Sequence, residues 1–230
     1  MQVVRGRAST LEGDRAVTGE LCRAAADGER AVRVWLPHRQ VAFGRRDTGL
    51  AGYERARALA HESAFAAVER RVGGRAVAYD GETTVAFARA EPVDDVREGI
   101  GERYDRLTAD LESALATLGV ETSREEPANS FCPGSHSLSV RVEGRPRKVA
   151  GIAQRVRADA ALVAGILLVD ASRVVAVLER VYEALEVPFD PATVGSLADA
   201  GGPGEPAPVL ETLEAALGGE ETPTVRVVDT

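Results

Sequence analysis

Apolar residues recur at helical spacing in five stretches of the chain, and this spacing predicts a helix in each of them. The first stretch follows Ser9 and Thr10, either of which can supply the N-cap. The longest ends before Gly119, since glycine is the residue type that most often terminates a helix. The predicted helices cover about residues 10–26, 53–62, 96–118, 172–185 and 209–217.

Between these helices, apolar and polar residues alternate with a period of two or form short apolar runs, which is typical of β-strands. Three of the eight connections between consecutive segments are short, and the sheet is expected to be largely antiparallel. The pattern therefore predicts an α+β fold: a mixed, mostly antiparallel sheet packed with helices. The predicted strands cover about residues 3–7, 31–36, 40–43, 65–68, 83–88, 138–142, 148–153, 161–169 and 224–228.

Residues 130–156 are predicted to form a β-hairpin that contains two candidate reactive residues, Cys132 and Lys148. Polar and apolar residues alternate over 138–142, and a second strand begins near Lys148 after a Gly-Arg-Pro turn. Cys132 precedes the first strand in a Cys-Pro-Gly turn. Gly151 interrupts the second strand, which indicates close approach of another backbone or of a ligand.

Lys148 is unusual in this composition. Of the 28 basic residues, all except Lys148 are arginine. Lysine is a compact charge on a flexible stem and loses its proton more readily than arginine, so one retained lysine near a cysteine suggests a functional role. The alternative is that a single lysine survived a biased composition by chance.

Length, charge and cysteine content narrow the class of protein. At 230 residues the chain suits one domain, or one domain with an appendage. We divide it into a main domain at 1–187 and a Pro/Gly-rich C-terminal appendage at 188–230 with a short helix and strand. A net charge of −8 disfavours nucleic acid as a partner, and two cysteines do not make a disulfide scaffold. The sequence shows no signal peptide and no run long enough to span a membrane, so we expect a cytoplasmic protein.

A Gly-Gly pair lies between two predicted strands and is flanked by arginines. Gly73 and Gly74 follow Arg70 and Arg71 and precede Arg75. This arrangement favours a loop that crosses over a pocket. The alternative interpretation is a tight hairpin.

Cys132 is the candidate nucleophile, because a cysteine thiolate beside a cation such as Lys148 can attack an acyl carbonyl. Backbone N–H groups near Gly134 or the Gly-Gly pair could stabilise the oxyanion. His136 is a competing base, although on a strand it could equally be a packed residue. Cys22 lies on an ordinary amphipathic helix and is expected to be a small buried residue. No metal site is predicted.

Three segments, in order, resemble the biotin/lipoate A/B protein ligase superfamily: GGRAVAYD after two arginines, CPGSHSLSV, and KVAGIAQR. The resemblance is greatest to the cysteine-dependent octanoyl/lipoyl amidotransferases, which are related to lipoate–protein ligase. It implies the catalytic-domain fold of that superfamily over residues 1–187. ATP-dependent lipoate ligases usually carry Ser-Gly-Gly-Gly where this chain has residues 72–75, Val-Gly-Gly-Arg, so the resemblance to that branch is weaker.

The resemblance also implies roles for individual residues. Cys132 matches the family nucleophile and Lys148 the family lysine. The family loop that lines the acyl tunnel matches Arg70, Arg71, Gly73 and Gly74. We add Arg75, Gly134 and Gly151 as further substrate-binding candidates.

The implied activity is transfer of an octanoyl or lipoyl group to the lysine of a lipoyl-domain protein through a Cys132 thioester, without a cofactor. The implied partners are the glycine-cleavage H protein and the acyltransferase subunits of 2-oxoacid dehydrogenases. One alternative is an ATP- and Mg-dependent lipoate–protein ligase, which could need a separate accessory subunit. Another is a binding protein that keeps the fold without catalysis.

Overall fold

A computed structural model describes residues 1–70, 74–157, 159–219 and 222–228. The strands are β1 (Gln2–Arg5), β2 (Ala31–Trp35), β3 (Gln40–Phe43), β4 (Ala66–Glu69), β5 (Val77–Tyr79), β6 (Thr84–Pro92), β7 (Ser137–Val142), β8 (Arg145–Arg157), β9 (Ala160–Leu168) and β10 (Thr224–Val227). The α-helices are α1 (Leu11–Ala26), α2 (Tyr53–Glu62), α3 (Ile100–Thr117), α4 (Ser172–Ala184) and α5 (Pro206–Gly218).

The strands form two sheets. The larger has seven strands in the order β10-β1-β2-β6-β9-β8-β7, and the smaller has three in the order β4-β3-β5. In the large sheet β1 pairs parallel with β10 and β2, and the other neighbours pair antiparallel. In the small sheet β3 pairs parallel with β4 and antiparallel with β5. The predicted mixed, mostly antiparallel α+β architecture is therefore confirmed.

Each face of the large sheet is covered by apolar side chains from other elements. One face packs against α3 and α5, where Leu107, Leu111 and Leu213 are fully buried or nearly so. The opposite face packs against α1 over β2, β6 and β9, and against the small sheet with α2 and α4 elsewhere. Because burying one leucine side chain contributes about 1.5–3 kcal/mol, these layers supply much of the favourable free energy that opposes the loss of chain entropy on folding.

Two helix starts illustrate how local sequence sets the elements. Helix α1 begins as predicted, since the Thr10 hydroxyl accepts a hydrogen bond from the Gly13 N–H at 3.1 Å. Helix α3 begins later than predicted. Asp95 caps a preceding turn by accepting from the Arg97 N–H at 2.8 Å, and Gly99 then adopts a left-handed φ of 66°. The helix can only begin after that glycine.

The hairpin of β7 and β8 is present, with its turn at Glu143-Gly144. Both turn residues have positive φ, 51° and 78°, as a two-residue hairpin turn of type I′ requires. The turn was expected one residue later, at Gly144-Arg145-Pro146. Strand β8 is also longer than predicted, because it pairs with β9 along most of its length.

The segment after residue 187 contributes to the same core as the rest of the chain. Helix α5 buries Val209, Leu213 and Leu217 against the large sheet and α3, and β10 extends that sheet beside β1. The boundary between 187 and 188 stays a prediction. Within the described ranges, no helix has the length and apolar character needed to cross a membrane.

Candidate active site

A cavity of about 590 Å³ lies between the large and small sheets. Its lining is largely apolar and also includes polar and charged side chains, among them Arg70, Cys132 and Lys148. The large sheet contributes Trp35, Ala86, Gly151 and Ile166, and the small sheet contributes Gln40, Ala42, Val77 and Tyr79. Such a slot suits an unbranched apolar chain better than a bulky or charged group.

The strand register gives the length of one row of residues that line this cavity. Trp35 pairs with Ala86, Ala86 with Ile166, and Ile166 with Gly151, so the four residues form one row across the sheet. Residues that are directly opposite in neighbouring strands point to the same face. Strands lie about 4.8 Å apart, so the row spans about 14 Å from Gly151 to Trp35.

Cys132 lies at the Gly151 end of the cavity, in the loop before β7, and has a left-handed φ of 42°. Its Sγ accepts from the Arg75 backbone N–H at 3.4 Å and lies 3.5 Å from Arg70 Nη2. A Cβ at Gly74 would come within 2.8 Å of this sulfur, and Gly74 has a φ of 91°. The glycine is therefore required both for its backbone conformation and for the space that the sulfur occupies.

The Lys148 ammonium lies at the same end and is only 1% exposed. Nζ donates to both carboxylate oxygens of Glu126, at 3.2 and 3.1 Å, and to the main-chain carbonyls of Phe131 and Cys132, at 3.0 and 3.1 Å. Burial lowers the pKa of Lys148 below its usual value, and the Glu126 charge opposes this shift. The lysine thus positions the cysteine loop through two carbonyl groups.

A β-bulge aims Lys148 into the cavity. Strand β8 pairs Gly151 with Ser137 but Lys148 with Ser139, so one residue of β8 is unpaired. In a regular strand, residues three apart face opposite sides. The bulge places Lys148 on the same face as Gly151, and a Cβ at Gly151 would lie 3.5 Å from the lysine Cε.

The structure brings together most of the predicted site residues. Cys132, Lys148, Arg70, Gly74 and Gly151 meet at one end of the cavity, and Gly134 lies at its rim in the exposed turn. Arg75 is also there, but only its main chain faces the sulfur. Arg71 and Gly73 lie outside the described residues. The functional roles of all these residues stay predictions.

The Arg75 side chain turns away from the sulfur and supports the loop from behind. Its Nη1 lies 3.3 Å from Asp47 Oδ1, and Asp47 is fully buried and also accepts from the Gly44 N–H at 2.9 Å. A Cβ at Gly44 would clash with the Gly74 carbonyl oxygen. The turn at 44–47 therefore packs directly against the loop that holds the Cys132 sulfur.

His136 is packed against an aromatic side chain. Its ring stacks on Tyr104 with centroids 3.5 Å apart and an interplanar angle of 6°. Burial lowers its pKa. The Cys132 sulfur contacts Arg70 and Arg75 instead. His136 thus stacks on Tyr104 and lines the same cavity as Cys132, and the choice between a base and a packed residue stays a prediction.

Two residues at this site were not predicted from the sequence. Glu126 accepts from the Ser130 and Ser137 hydroxyl groups as well as from Lys148. The Tyr182 hydroxyl accepts from the Cys132 backbone N–H at 2.7 Å. A signal for Glu126 was available, because a buried lysine requires a charged partner and the loop 121–126 carries several acids. Tyr182 carried no such signal, since its spacing indicated only a buried helix face.

A second concave surface lies beside this cavity. It is an open groove of about 810 Å³ that contains neither cysteine nor lysine, and its lining includes four arginines: Arg15, Arg45, Arg57 and Arg70. Although this groove is larger, the reactive side chains lie in the cavity between the sheets, which is therefore the candidate active site.

The fold and this site define a class of protein. Residues 14–217 match the family described as the lipoyl protein ligase A/B catalytic domain, and the chain belongs to that family. The family membership inferred from the Gly-Gly, Cys-Pro-Gly and Lys-Val-Ala-Gly segments is thereby confirmed.

Among curated proteins, the chain is similar to the octanoyl-[GcvH]:protein N-octanoyltransferase of Anoxybacillus flavithermus, with 32% identity over 59% of this chain and 47% of that protein. It is also similar to the lipoyl-[GcvH]:protein N-lipoyltransferase of Listeria monocytogenes, with 28% identity over 65% of this chain and 53% of that protein. The chain spans about half the length of the curated relatives that it matches.

Among solved structures, the chain resembles a lipoate-protein ligase A bound with ATP. The TM-score is 0.68 at 17% identity, with 94% of this chain and 81% of that chain covered. At this level of identity the likeness shows a shared fold, which confirms the catalytic-domain fold expected from the sequence.

Proposed function

We propose that this protein transfers an octanoyl or lipoyl group between lysine side chains of lipoyl-domain proteins through a thioester on Cys132. One observation carries the proposal: a cysteine sulfur, in contact with a backbone N–H and a guanidinium, lies at the end of a largely apolar cavity. The names of the two curated relatives, an octanoyltransferase and a lipoyltransferase that act with GcvH, support it.

The acyl chain would occupy the cavity between the two sheets. The row from Gly151 to Trp35 is about 14 Å long, which is sufficient for an extended octanoyl or lipoyl chain. Each buried CH₂ contributes about 0.8 kcal/mol, so an eight-carbon chain gains substantial binding free energy here. The carbonyl group would then lie beside Cys132, at the Gly151 end.

In the first half-reaction the Cys132 sulfur attacks the carbonyl carbon of the acylated donor lysine. The carbon–sulfur bond forms, the carbon–nitrogen bond of the donor amide breaks, and the proton of the thiol leaves on the donor amine. The Arg75 N–H and the Arg70 guanidinium, which now contact the sulfur, are the donors nearest to the developing oxyanion.

In the second half-reaction the amine of an acceptor lysine attacks the thioester. A new amide bond forms, the carbon–sulfur bond breaks, and the proton of the amine returns to the sulfur. The donor proposed from the relatives is the glycine-cleavage H protein (GcvH), and the proposed acceptors are the lipoyl domains of 2-oxoacid dehydrogenase acyltransferase subunits.

Lys148 supports both half-reactions through charge and position. Its ammonium donates to the Phe131 and Cys132 carbonyls. Together with the Arg70 guanidinium, it places positive charge at the end of the cavity that contains Cys132. A nearby cation stabilises the negative charge that develops in the transition state.

The proposed transfer requires no cofactor, whereas the alternative ligase reaction would consume ATP with Mg²⁺. The test incubates the protein with octanoyl-GcvH and an unmodified lipoyl domain in the absence of ATP, and a second reaction supplies free octanoate, ATP and Mg²⁺ instead. We expect acylated acceptor in the first reaction. Modification in the second reaction alone would contradict the proposal and favour the ligase.

A further inference from the structure

Tyr182 connects two loops at the candidate site. It lies on α4, is 1% exposed, and reaches the site from the helical layer that packs against the small sheet. Its hydroxyl accepts from the backbone N–H of Cys132 at 2.7 Å and donates to the carbonyl of Ala76 at 3.0 Å. Burial raises the pKa of this phenol, so the hydroxyl keeps the proton that it donates.

The two bonded loops are the ones that meet at the sulfur. Ala76 directly follows Arg75, whose N–H donates to the Cys132 Sγ at 3.4 Å. The contacts therefore close a ring: from the sulfur to the Arg75 N–H, along the chain to the Ala76 carbonyl, through the Tyr182 hydroxyl, and back to the Cys132 N–H. One phenol fixes the distance between the nucleophile and its hydrogen-bond donor.

The conformation of Cys132 needs such a constraint. Its φ of 42° is left-handed, a region that residues with a Cβ adopt rarely. The main-chain polar groups of Cys132 are both held by side chains from distant parts of the fold, the N–H by Tyr182 and the carbonyl by Lys148. These two hydrogen bonds stabilise the backbone conformation in which the sulfur contacts the Arg75 N–H.

We propose that Tyr182 is a positioning residue, whose hydroxyl holds Cys132 in the left-handed conformation that places its sulfur against the Arg75 N–H. The inference rests on the proposed function of Cys132 as the nucleophile. Because Tyr182 occupies the N–H of Cys132, that N–H is not available to the oxyanion, whereas the N–H of Arg75 contacts the sulfur directly.

The test compares the alkylation rates of the two cysteines in one molecule. Iodoacetamide reacts with Cys132 and with Cys22, which is half-buried on α1 and serves as the internal reference. Peptide mass spectrometry gives the ratio of the two rates in wild type and in Tyr182→Phe, which keeps the ring and its contact with Phe189. We expect the ratio of Cys132 to Cys22 to change by at least about tenfold, since small displacements of a reactive group have effects of this size.

Val177→Ala provides the matched control. Val177 is buried on the same helix and in the same core cluster as Tyr182, so its truncation loosens α4 without removing a bond to Cys132. We expect this variant to leave the ratio unchanged. A similar change in both variants, or an unchanged ratio in Tyr182→Phe, would overturn the proposal.

A measurement on the wild-type protein covers the case in which Tyr182→Phe does not fold. The Cys132 amide should exchange slowly with solvent deuterium because Tyr182 holds it, whereas the Gly134 amide in the exposed turn should exchange rapidly. Equal, rapid exchange at both amides would refute the proposed bond. Neither measurement needs an acyl donor. If both gave the expected results and the protein still transferred no acyl group, that outcome would count against the proposed function and not against the role of Tyr182.

Discussion

Lys148 donates from Nζ to the main-chain carbonyl of Cys132 at 3.1 Å. The lysine therefore holds the backbone of the proposed nucleophile, and the remaining bonds of its ammonium go to Phe131 and Glu126. One side chain thus both fixes the position of the Cys132 backbone and supplies a positive charge at the site. Replacing this lysine should affect activity even when the positive charge is retained.

Lys148→Arg should reduce acyl transfer by at least a factor of about 100, or close to 3 kcal/mol of transition-state stabilisation. The planar guanidinium cannot reproduce the bonds of a compact ammonium in a closed site. The added bulk should also lower the free energy of unfolding by about 1–3 kcal/mol. Turnover and thermal unfolding are measured on the same sample.

Arg145→Lys is the control, because Arg145 lies on the same strand and is exposed. It should leave both quantities close to wild type. Transfer by Lys148→Arg at the wild-type rate would show that the geometry of the ammonium is unimportant.

Glu126→Gln should move the alkaline limb of the pH–activity profile to lower pH. Burial lowers the Lys148 pKa and the Glu126 carboxylate raises it, so removing the carboxylate lowers the lysine pKa further. The proposed role of Lys148 requires the ammonium form, so activity should decline as pH rises through this pKa. The decline should therefore begin at a lower pH in the variant when kcat/KM is measured from about pH 7 to about pH 10.

Glu125→Gln is the matched control, since Glu125 pairs with the exposed Arg141 instead. Its pH profile should follow that of wild type. If the alkaline limb of Glu126→Gln did not move, titration of Lys148 would not limit the activity.

Part of this site could be predicted from the sequence, because Cys132 and Lys148 belong to one predicted hairpin and a Gly-Gly pair marks a second loop. Three sequence features predict these site residues. The Cys-Pro-Gly turn indicates Cys132, the single lysine is Lys148, and the Gly-Gly pair indicates Gly74. The structure brings these three together. Alternation alone, however, would place Lys148 on the wrong face of β8, because the bulge at Leu138/Ser139 is not visible in the apolar pattern.

The residues that support the site could not be predicted for a different reason. Tyr182 is 50 residues from Cys132, and its helical spacing indicates burial without indicating a partner. The buried turn at 44–47 likewise depends on tertiary contacts with the Gly74 loop. Sequence periodicity identifies the faces of elements, whereas these contacts depend on how the elements are arranged in three dimensions.

Gly74→Ala should disrupt the site more than it disrupts the fold. An alanine there adopts a left-handed φ, which costs about 1–2 kcal/mol, and its Cβ would displace the Cys132 sulfur. Gly119→Ala is a matched control, because Gly119 also has a positive φ, 77°, but a Cβ there would meet no atom within 4 Å. We expect similar losses of stability and a loss of acyl transfer only in Gly74→Ala. Equal activity in the two variants would contradict the close approach to the sulfur.

Ala86→Leu should shorten the acyl chain that the cavity accepts. Ala86 lies in the row between Trp35 and Ile166, and a leucine would fill the middle of the slot. Transfer of an octanoyl group should fall sharply, while transfer of a butanoyl group should be retained. Because each buried CH₂ contributes about 0.8 kcal/mol, wild type should gain about fourfold per methylene and the variant should not. An unchanged preference for octanoyl would place the acyl chain elsewhere.

The most direct test of the central claim is the intact mass of the protein after incubation with octanoyl-GcvH and no acceptor. The account predicts an adduct of one octanoyl group that hydroxylamine removes and that maps to Cys132. The adduct should be present in Cys22→Ser and absent in Cys132→Ser. An adduct that persists in Cys132→Ser, or acyl transfer to the acceptor by Cys132→Ser at the wild-type rate, would contradict a Cys132 thioester.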